Sequence, residues 1–257
     1  MPSNSLLPWF SPLLSTAVSR VIYNLGHRSV LMRGEQIATS AFYNRVVFVK
    51  DGFLAQALLN PGSNTPFMLT LSGASTFGYL GHTSTQLDHL PRRYWAVTQC
   101  EILTVIPEIL IRLSEVESSW SQELNTYGLK RAVSERLGLM VCQAAQPEQR
   151  LAAFLVSIFL SSVSNAHKKL ESNTSWIALP ALPSRKLIAT VISCSPNTID
   201  NIIRAWFIRG MIRHKDGAVQ VKRQVLFDAW QWLLPFVQMQ NDIQAAVRPR
   251  NPSAFEI

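Results

Sequence analysis

One short segment of the chain, residues 195–204, carries polar side chains at helical spacing. They are Ser195, Asn197, Thr198, Asn201 and Arg204. Amide and guanidinium groups can pair with the edges of bases or with phosphates. The chemistry that these residue types offer is therefore recognition of a nucleic acid.

Two short helices joined by a tight turn are predicted to position these side chains. The first helix has an apolar side, formed by Leu187, Ile188 and Val191. Ser195 then fits the N-cap of the second helix, and Pro196 fits its first position, where the missing N–H of proline costs nothing. The second helix has an apolar face at helical spacing, formed by Ile199, Ile202, Ile203 and Trp206. Its polar side chains therefore face solvent or a partner.

The segment after the second helix predicts a two-stranded wing in a locally basic region. Asp216-Gly217 is a typical hairpin turn. Residues 184–223 contain eight basic and two acidic residues, so they supply most of the formal net charge of +8. A local basic excess on a small domain indicates a polyanionic partner. The alternative is a helical hairpin whose basic face is merely solvated.

This part of the chain resembles the winged helix-turn-helix of the Crp/Fnr family of bacterial transcription regulators. The resemblance rests on Cys194-Ser195-x-x-Thr198-Ile199, on the apolar pattern through Ile203, and on Gly210-Met211-Ile212 before the hairpin. It implies that three positions contact bases, namely Pro196, Asn197 and Asn201. It also implies phosphate contacts near Ser195 and Thr198. The candidate DNA-binding residues are Arg185, Ser195, Pro196, Asn197, Thr198, Asn201 and Arg204.

Short strands broken by turn residues are predicted in the first half of the chain. Val46–Val49 is one strand, Lys50–Gly52 is expected to be a hairpin turn into residues 53–59, and another strand covers residues 66–71. This pattern indicates a β-sandwich or β-roll. Gly34-Glu35, Gly52 and Cys100-Glu101-Ile102-Leu103 resemble the cyclic-nucleotide-binding β-roll of Crp/Fnr sensor domains.

Residues 72–80 resemble the start of the phosphate-binding cassette in that β-roll, but the binding residues differ. Tyr79 stands where nucleotide-binding members carry Glu, and the expected arginine position falls near Leu90-Pro91. Arg92 and Arg93 follow this expected arginine position by about two residues. A buried phosphate needs a positioned guanidinium. The sequence therefore predicts a degenerate cassette without cyclic-nucleotide control, with an unidentified small-molecule ligand as the alternative.

Metal or heme ligation by His82 and His89 is conceivable, and Asp88 lies in the same segment, but these residues do not form a ligand set at a fixed spacing. We expect polar loop residues there, with no metal and no cofactor. The three cysteines form no metal-binding or paired motif, which fits a reducing cytoplasm. The alternative function is that of an enzyme, in which Cys100 would act as a nucleophile with His82 or His89. Recognised catalytic motifs are absent from the sequence, however.

Helices are predicted after Pro107, at 107–116 and from about 119 to 145. The longer helix carries an apolar stripe suited to pairing with a second copy: Leu129, Val133, Leu137, Met140 and Ala144. The family resemblance makes it the dimerisation helix. Packing of this stripe onto the chain's own β-roll is the alternative. Further helices are expected at 9–24, with Leu13, Val18, Val21 and Ile22 buried, and at 225–238, while residues 161–175 are expected to be a loop.

The expected fold is α+β, in four parts. They are residues 1–117 as N-terminal helix and sensor-like β-roll, 118–145 as dimerisation helix, 146–240 as winged helix-turn-helix, and 241–257 as a disordered tail. No apolar run is long enough to cross a bilayer, and the N-terminus lacks the basic start of a signal peptide. The predicted function is a cytoplasmic, homodimeric transcription regulator that binds double-stranded DNA, with RNA polymerase as a candidate partner. A protein-interaction module that does not bind DNA is the remaining alternative.

Overall fold

The computed structural model describes residues 6–37, 45–60, 62–79, 91–163, 165–180 and 182–247. The strands are β1 (His27–Leu31), β2 (Val46–Asp51), β3 (Leu54–Leu59), β4 (Pro66–Ser72), β5 (Thr76–Tyr79), β6 (Arg92–Ala96), β7 (Cys100–Val105), β8 (Trp176–Ala178), β9 (Ile212–Lys215) and β10 (Ala218–Lys222). The helices are α1 (Thr16–Leu25), α2 (Pro107–Val116), α3 (Ser118–Ala144), α4 (Pro147–Ser162), α5 (Ala166–Glu171), α6 (Arg185–Val191), α7 (Pro196–Ile208) and α8 (Arg223–Val247). The predicted α+β class, with a β-roll before a winged helix-turn-helix, is confirmed.

The first seven strands form two antiparallel sheets, ordered β1-β7-β2-β5 and β4-β3-β6. Because β2 and β3 lie in different sheets, the prediction of a hairpin at Lys50–Gly52 is wrong. Gly52 has φ +85°, and a Cβ there would lie 2.3 Å from the carbonyl oxygen of Gln99. The chain therefore turns a corner between sheets at Gly52, close beside the corner that joins β6 to β7.

Apolar side chains fill the described part of the interior between the two sheets. The buried residues of this cluster are Leu31, Ile37, Val47, Val49, Leu54, Tyr94, Ala96, Cys100 and Ile102. The other face of the four-stranded sheet is covered by α1, α2 and the first turns of α3, where Phe48, Phe77 and Trp120 are buried. The side chains of β2 and β7 are thus divided between two apolar layers.

The first helix is shorter than predicted. It begins at Thr16, because the Ser15 hydroxyl accepts a hydrogen bond from the backbone N–H of Val18 at 3.2 Å and caps the helix. Val18 and Ile22 are buried as predicted, whereas Leu13 is exposed and precedes the helix. The helix expected at 9–24 is therefore helical only from Thr16 onward.

Residues 6–15, here called the N-terminal strap, connect the roll to the helices that follow it. Main-chain hydrogen bonds pair Trp9 and Ser11 with Leu71 of β4. The Ser134 hydroxyl on α3 donates to carbonyl oxygens of the strap. The rings of Trp9 and Phe10 lie 5.9 and 6.1 Å from the ring of Phe154 on α4. The strap thus merges roll, α3 and α4 into one apolar core.

Two helices differ from prediction in the C-terminal half. A short helix, α5, lies within residues 161–175, where a loop was expected, because Ala166 and Leu170 are buried in the core. Helix α8 extends to Val247, so the described residues 241–247 are helical rather than part of a disordered tail. Residues 248–257 lie outside the described residues. Within the part that the structure describes, no helix combines the length and apolarity needed to span a membrane.

Candidate nucleic-acid interface

Helix α6 and the turn that follows it set the entry to the candidate interface. The Ser184 hydroxyl accepts a hydrogen bond from the Leu187 N–H at 3.3 Å, which caps α6. Leu187, Ile188 and Val191 are buried, as predicted. The helix ends at Ile192, and Ser193 then adopts φ +53°, a left-handed conformation that non-glycine residues rarely take. This turn sends the chain away from α6 and into α7.

Helix α7 begins at the predicted residue. The Ser195 hydroxyl accepts a hydrogen bond from the Thr198 N–H at 3.0 Å and lies 2.8 Å from the Thr198 hydroxyl. Pro196 occupies the first helical position. Ile199 and Trp206 are buried, and Ile202 and Ile203 pack against the same core. The apolar face of α7 is therefore anchored as the sequence predicted.

The opposite face of α7 brings the polar candidates together in solvent. Asn197, Asn201 and Arg204 are exposed along one side of the helix, at intervals of four and three residues. Ser195 and Pro196 are exposed at its N-terminus, and Thr198 is half-buried beside them. Six of the seven candidate DNA-binding residues therefore lie on α7 or its cap.

Arg185, the seventh candidate, lies at the start of α6 and contacts the chain itself. Its Nη1 atom is 2.5 Å from Oδ1 of Asp200 on α7, at ion-pair distance but without hydrogen-bond geometry. The side chains are 62% and 35% exposed, so water screens the pair and leaves the guanidinium accessible. Arg185 thus ties α6 to α7 while remaining at the surface.

The wing stands beside the end of α7. Its strands β9 and β10 are joined by Asp216 and Gly217, which both have positive φ, 52° and 72°, as a tight hairpin requires. The ring of Phe207 on α7 stacks on His214 of β9 at 5.5 Å. The Arg213 guanidinium lies 4.0 Å from the centre of the Trp176 ring, which holds β8 against the wing.

Several cations of this basic region are exposed around α7 and the wing. Lys186 is exposed on α6, Arg204 on α7, and Lys215 and Lys222 on the wing strands. No salt bridge to these four is found among the described residues. Their charge is therefore available to an anionic ligand.

Two residues in the first turn of α4 contribute to this region, although the sequence analysis did not identify their roles. Glu148 accepts hydrogen bonds from Nε1 of Trp206 and from Nη2 of Arg209, each at 2.5 Å. The Trp206 hydrogen bond, assisted by the Arg209 charge, lowers the pKa of Glu148 against the opposing effect of burial. Arg150 donates to the Ala145 carbonyl at the α3–α4 junction and to the Ile192 and Ser193 carbonyls in the turn between α6 and α7. No local sequence pattern links these side chains to α7 or to the turn before it, since Ile192, Ser193 and Trp206 lie more than 40 residues away from them.

Two polar residues lie on the inner side of the roll, Gln56 on β3 and Arg92 on β6. The Gln56 side chain is 6% exposed, and its Oε1 atom has no hydrogen-bond partner among the described residues. In β6, alternation places Arg92 on the same side as Tyr94 and Ala96, which are buried inside the roll. Arg93 is exposed on the opposite side. Arg92, and not Arg93, therefore lies on the inner face of the roll.

The cassette positions that the sequence analysis singled out are only partly described. Tyr79 is the last residue of β5 and Pro91 immediately precedes β6. His82, Asp88, His89 and Leu90 lie outside the described residues. Among the described residues, no group of three or more His, Cys, Asp or Glu could hold a metal ion. Burial raises the pKa of the Cys100 thiol, which disfavours the thiolate that nucleophilic catalysis would need.

The apolar stripe on α3 divides between two environments. Leu137 is 1% exposed and belongs to the core that the strap completes. Leu129 is 66% exposed, Ala144 is exposed, and Val133 and Met140 are half-buried. Leu137 therefore cannot contribute an open surface to another chain, whereas Leu129 can.

Comparison with known proteins reveals similarity in structure alone. Neither a protein-family model nor a curated protein sequence matches the chain. FixK2 from Bradyrhizobium japonicum superimposes with a TM-score of 0.60 at 14% identity, covering 80% of this chain and 97% of that one. A cyclic nucleotide-binding domain containing protein from Listeria monocytogenes gives 0.59 at 12% identity, covering 82% and 98%.

A third similar structure carries the family name. It is a transcriptional regulator of the Crp/Fnr family from Eubacterium rectale, with a TM-score of 0.54 at 13% identity, covering 88% of this chain and 95% of that one. Each superposition covers at least 80% of this chain. The chain therefore has the fold of the Crp/Fnr regulators.

Proposed function

We propose that the chain is a sequence-specific DNA-binding transcription regulator of the Crp/Fnr type. The observation that carries this proposal is the exposed face of α7, where Asn197, Asn201 and Arg204 stand in one row behind a serine-capped N-terminus. A second helix presented in this way suits the major groove, and the amide and guanidinium groups suit base edges. The fold shared with the Eubacterium rectale regulator supports the proposal.

The proposed DNA contacts are made by residues of α6, α7 and the cap of α7. Asn197 and Asn201 contact bases together with Pro196, whose side chain can make only apolar contact. Ser195 and Thr198 lie near phosphates, and Arg185 and Arg204 add charge-assisted contacts. Because Pro196 cannot donate a hydrogen bond, the amides of Asn197 and Asn201 should supply the base-specific hydrogen bonds of this site.

We propose that the protein binds DNA as a homodimer. The support is the side of α3 on which Leu129 and Ala144 are exposed and Val133 and Met140 are half-buried. One recognition helix reads only a few bases, and two-fold symmetry places two half-sites about one DNA turn apart. We divide the chain for this role into the sensor-like roll at 1–117, the dimerisation helix at 118–145 and the DNA-binding domain at 146–240. Action in the cytoplasm and contact with RNA polymerase are part of the same proposal.

Control by cyclic nucleotides is not part of this proposal, because Tyr79 replaces the carboxylate and Pro91 follows the expected arginine position. A second candidate is a regulator gated by a different small molecule bound inside the roll. The Oε1 atom of Gln56, which has no partner among the described residues, and the inner-face position of Arg92 favour it, since both groups could recognise a polar ligand.

Selection from a randomised duplex library tests the proposed function directly. The purified full-length protein should enrich a palindromic motif, and an Arg204→Gln variant should enrich it less. If the wild-type protein recovers duplexes that share no motif at moderate salt, its binding to DNA is only electrostatic. Absence of any DNA recovery would instead favour a protein-interaction module.

A further inference from the structure

Arg150 is bonded to three main-chain carbonyls that belong to two separate elements. Its Nε atom donates to the Ala145 oxygen at 2.7 Å, where α3 ends. Its Nη1 atom donates to the Ile192 and Ser193 oxygens at 3.3 and 3.2 Å, in the turn between α6 and α7. One side chain therefore connects the end of the long helix to the entry of the recognition helix.

The guanidinium group is suited to this connection for two physical reasons. The last carbonyls of a helix have no partner within it, and α6 ends at Ile192. A guanidinium offers five N–H donors in a rigid plane, so it can satisfy several carbonyls in fixed directions, whereas a lysine ammonium acts as a point charge. The same bonds fix the Ser193 turn, whose φ of +53° is unfavourable for serine.

Glu148 holds the opposite end of α7 from the same turn of α4. Its carboxylate oxygen accepts from Trp206 and Arg209, which lie at the last turn of α7 and at its C-cap. Helix α7 is thus secured near both ends by side chains that lie two residues apart. Rotation of α7 relative to α4 would break contacts at both places, and the Arg150–Ala145 bond ties this arrangement to the end of α3.

We propose that Arg150, supported by Glu148, is a positioning residue that sets the direction of the recognition helix relative to α3. This inference rests on the proposed function. If α3 pairs with α3 of a second copy, the direction of each α7 fixes the distance between the two helices in the DNA grooves. Arg150 thereby determines which spacing of half-sites the dimer accepts. Its guanidinium acts through the main chain and contacts no DNA.

The test uses the palindromic duplex that the wild-type protein selects, together with duplexes in which the half-sites are moved closer or further apart by one or two base pairs. Wild-type protein should prefer one spacing sharply. In Arg150→Gln, affinity for that spacing should fall about tenfold, the equivalent of one charge-assisted hydrogen bond. Affinity for the shifted duplexes should change little, so that Arg150→Gln distinguishes less between the half-site spacings than the wild type does.

Salt dependence separates positioning from direct contact. The slope of log affinity against log salt should be the same for Arg150→Gln and wild type, because no phosphate contact is lost. The matched control, Arg204→Gln, should weaken binding equally at every spacing and reduce the slope by about one. A reduced slope in Arg150→Gln would mean that Arg150 touches a phosphate, which overturns the inference.

The remaining outcomes separate failure of the proposed function from failure of the positioning role. Failure of the wild-type protein to select any duplex refutes the proposed function itself, whereas a sharp spacing preference retained by folded Arg150→Gln refutes only the positioning role. If Arg150→Gln does not fold, Arg150→Lys replaces it, since lysine keeps the charge and most of the stem but cannot reach three carbonyls in fixed directions. Wild-type spacing preference in Arg150→Lys and in Glu148→Gln would likewise overturn the inference.

Discussion

Asn197 and Asn201 stand one helical turn apart on the exposed side of α7, in contact with solvent. An amide that pairs with a base through two hydrogen bonds contributes about 1–3 kcal/mol to discrimination. We therefore expect Asn197→Ala and Asn201→Ala each to weaken binding to the selected duplex by about that amount. Fluorescence anisotropy measures the affinity.

Asn173→Ala provides the matched control, because Asn173 is an exposed asparagine of the same half of the chain that lies outside α7. Its affinity should equal that of the wild type. The assignment of base contacts fails if both α7 variants retain wild-type affinity and select the same duplex.

Two glycines of α3 provide a residue-scale test of the core. A Cβ on Gly138 would lie 2.5 Å from Cδ1 of Trp9, whereas a Cβ on Gly128 would meet nothing within 4 Å. Gly138→Ala should thus lower the free energy of unfolding by about 1–3 kcal/mol through overpacking. Gly128→Ala should raise it by about 0.5–1 kcal/mol, since alanine favours the helix.

Urea denaturation of both variants measures these opposite changes. Because the two substitutions are chemically identical and lie on one helix, their helix propensity effects cancel in the comparison. Equal stabilisation by both alanines would mean that Trp9 does not pack on α3 as described.

At the scale of the element, α3 has one face in the core of its own chain and another open to a partner. Leu129→Glu and Met140→Glu should lower dimerisation and DNA affinity together while the monomer stays folded. Leu137→Ala should instead destabilise the monomer by about 2–5 kcal/mol, because it empties a site in the core. Sedimentation measures the mass of each variant, and denaturation measures its stability.

The contrast between these variants identifies the dimer face. The homodimer proposal is refuted if the wild-type protein has a monomeric mass at micromolar concentration and binds an asymmetric DNA site one-to-one. Loss of folding in Leu129→Glu would show that this exposed residue stabilises its own chain instead.

At the scale of the whole molecule, the roll and the DNA-binding half share one apolar core. Strap residue Phe10 contacts Phe53 of the roll and Phe154 of α4, with ring centres 6.1 Å apart in both pairs. Helix α6 also packs against β4. Any ligand that changed the roll would therefore act on the helix-turn-helix through direct contacts.

Titration calorimetry of the whole protein with cAMP and cGMP tests whether the roll still responds to nucleotides. We expect no binding at micromolar concentrations, because loss of one charge-assisted contact costs about 1.5–3 kcal/mol and two contacts are missing. Micromolar binding that tightens the affinity for DNA would contradict the prediction. Its loss in Arg92→Gln, but not in Arg93→Gln, would identify Arg92 as the phosphate ligand.

The sequence by itself determined the elements whose signals are local. Ser195 and Pro196 fix the start of α7 through one side-chain hydrogen bond and one preset φ, and Asp216-Gly217 fixes the wing turn. Pro107 and Pro147 mark the starts of α2 and α4 through the preset φ of proline alone, without a side-chain cap. The polar row on α7 follows from helical periodicity alone. These features depend on residues within a few positions of one another.

Only the tertiary structure decided the features that depend on distant residues. Gly52 forms a corner rather than a hairpin because β2 and β3 find partners in different sheets. The segment around Trp9 is not helical because β4 and α3 hold its main chain, and Leu137 is buried because the strap covers that part of α3. Arg150 and Glu148 support α7 across more than 40 residues of chain. Such contacts leave no local pattern, since packing alone brings their partners together.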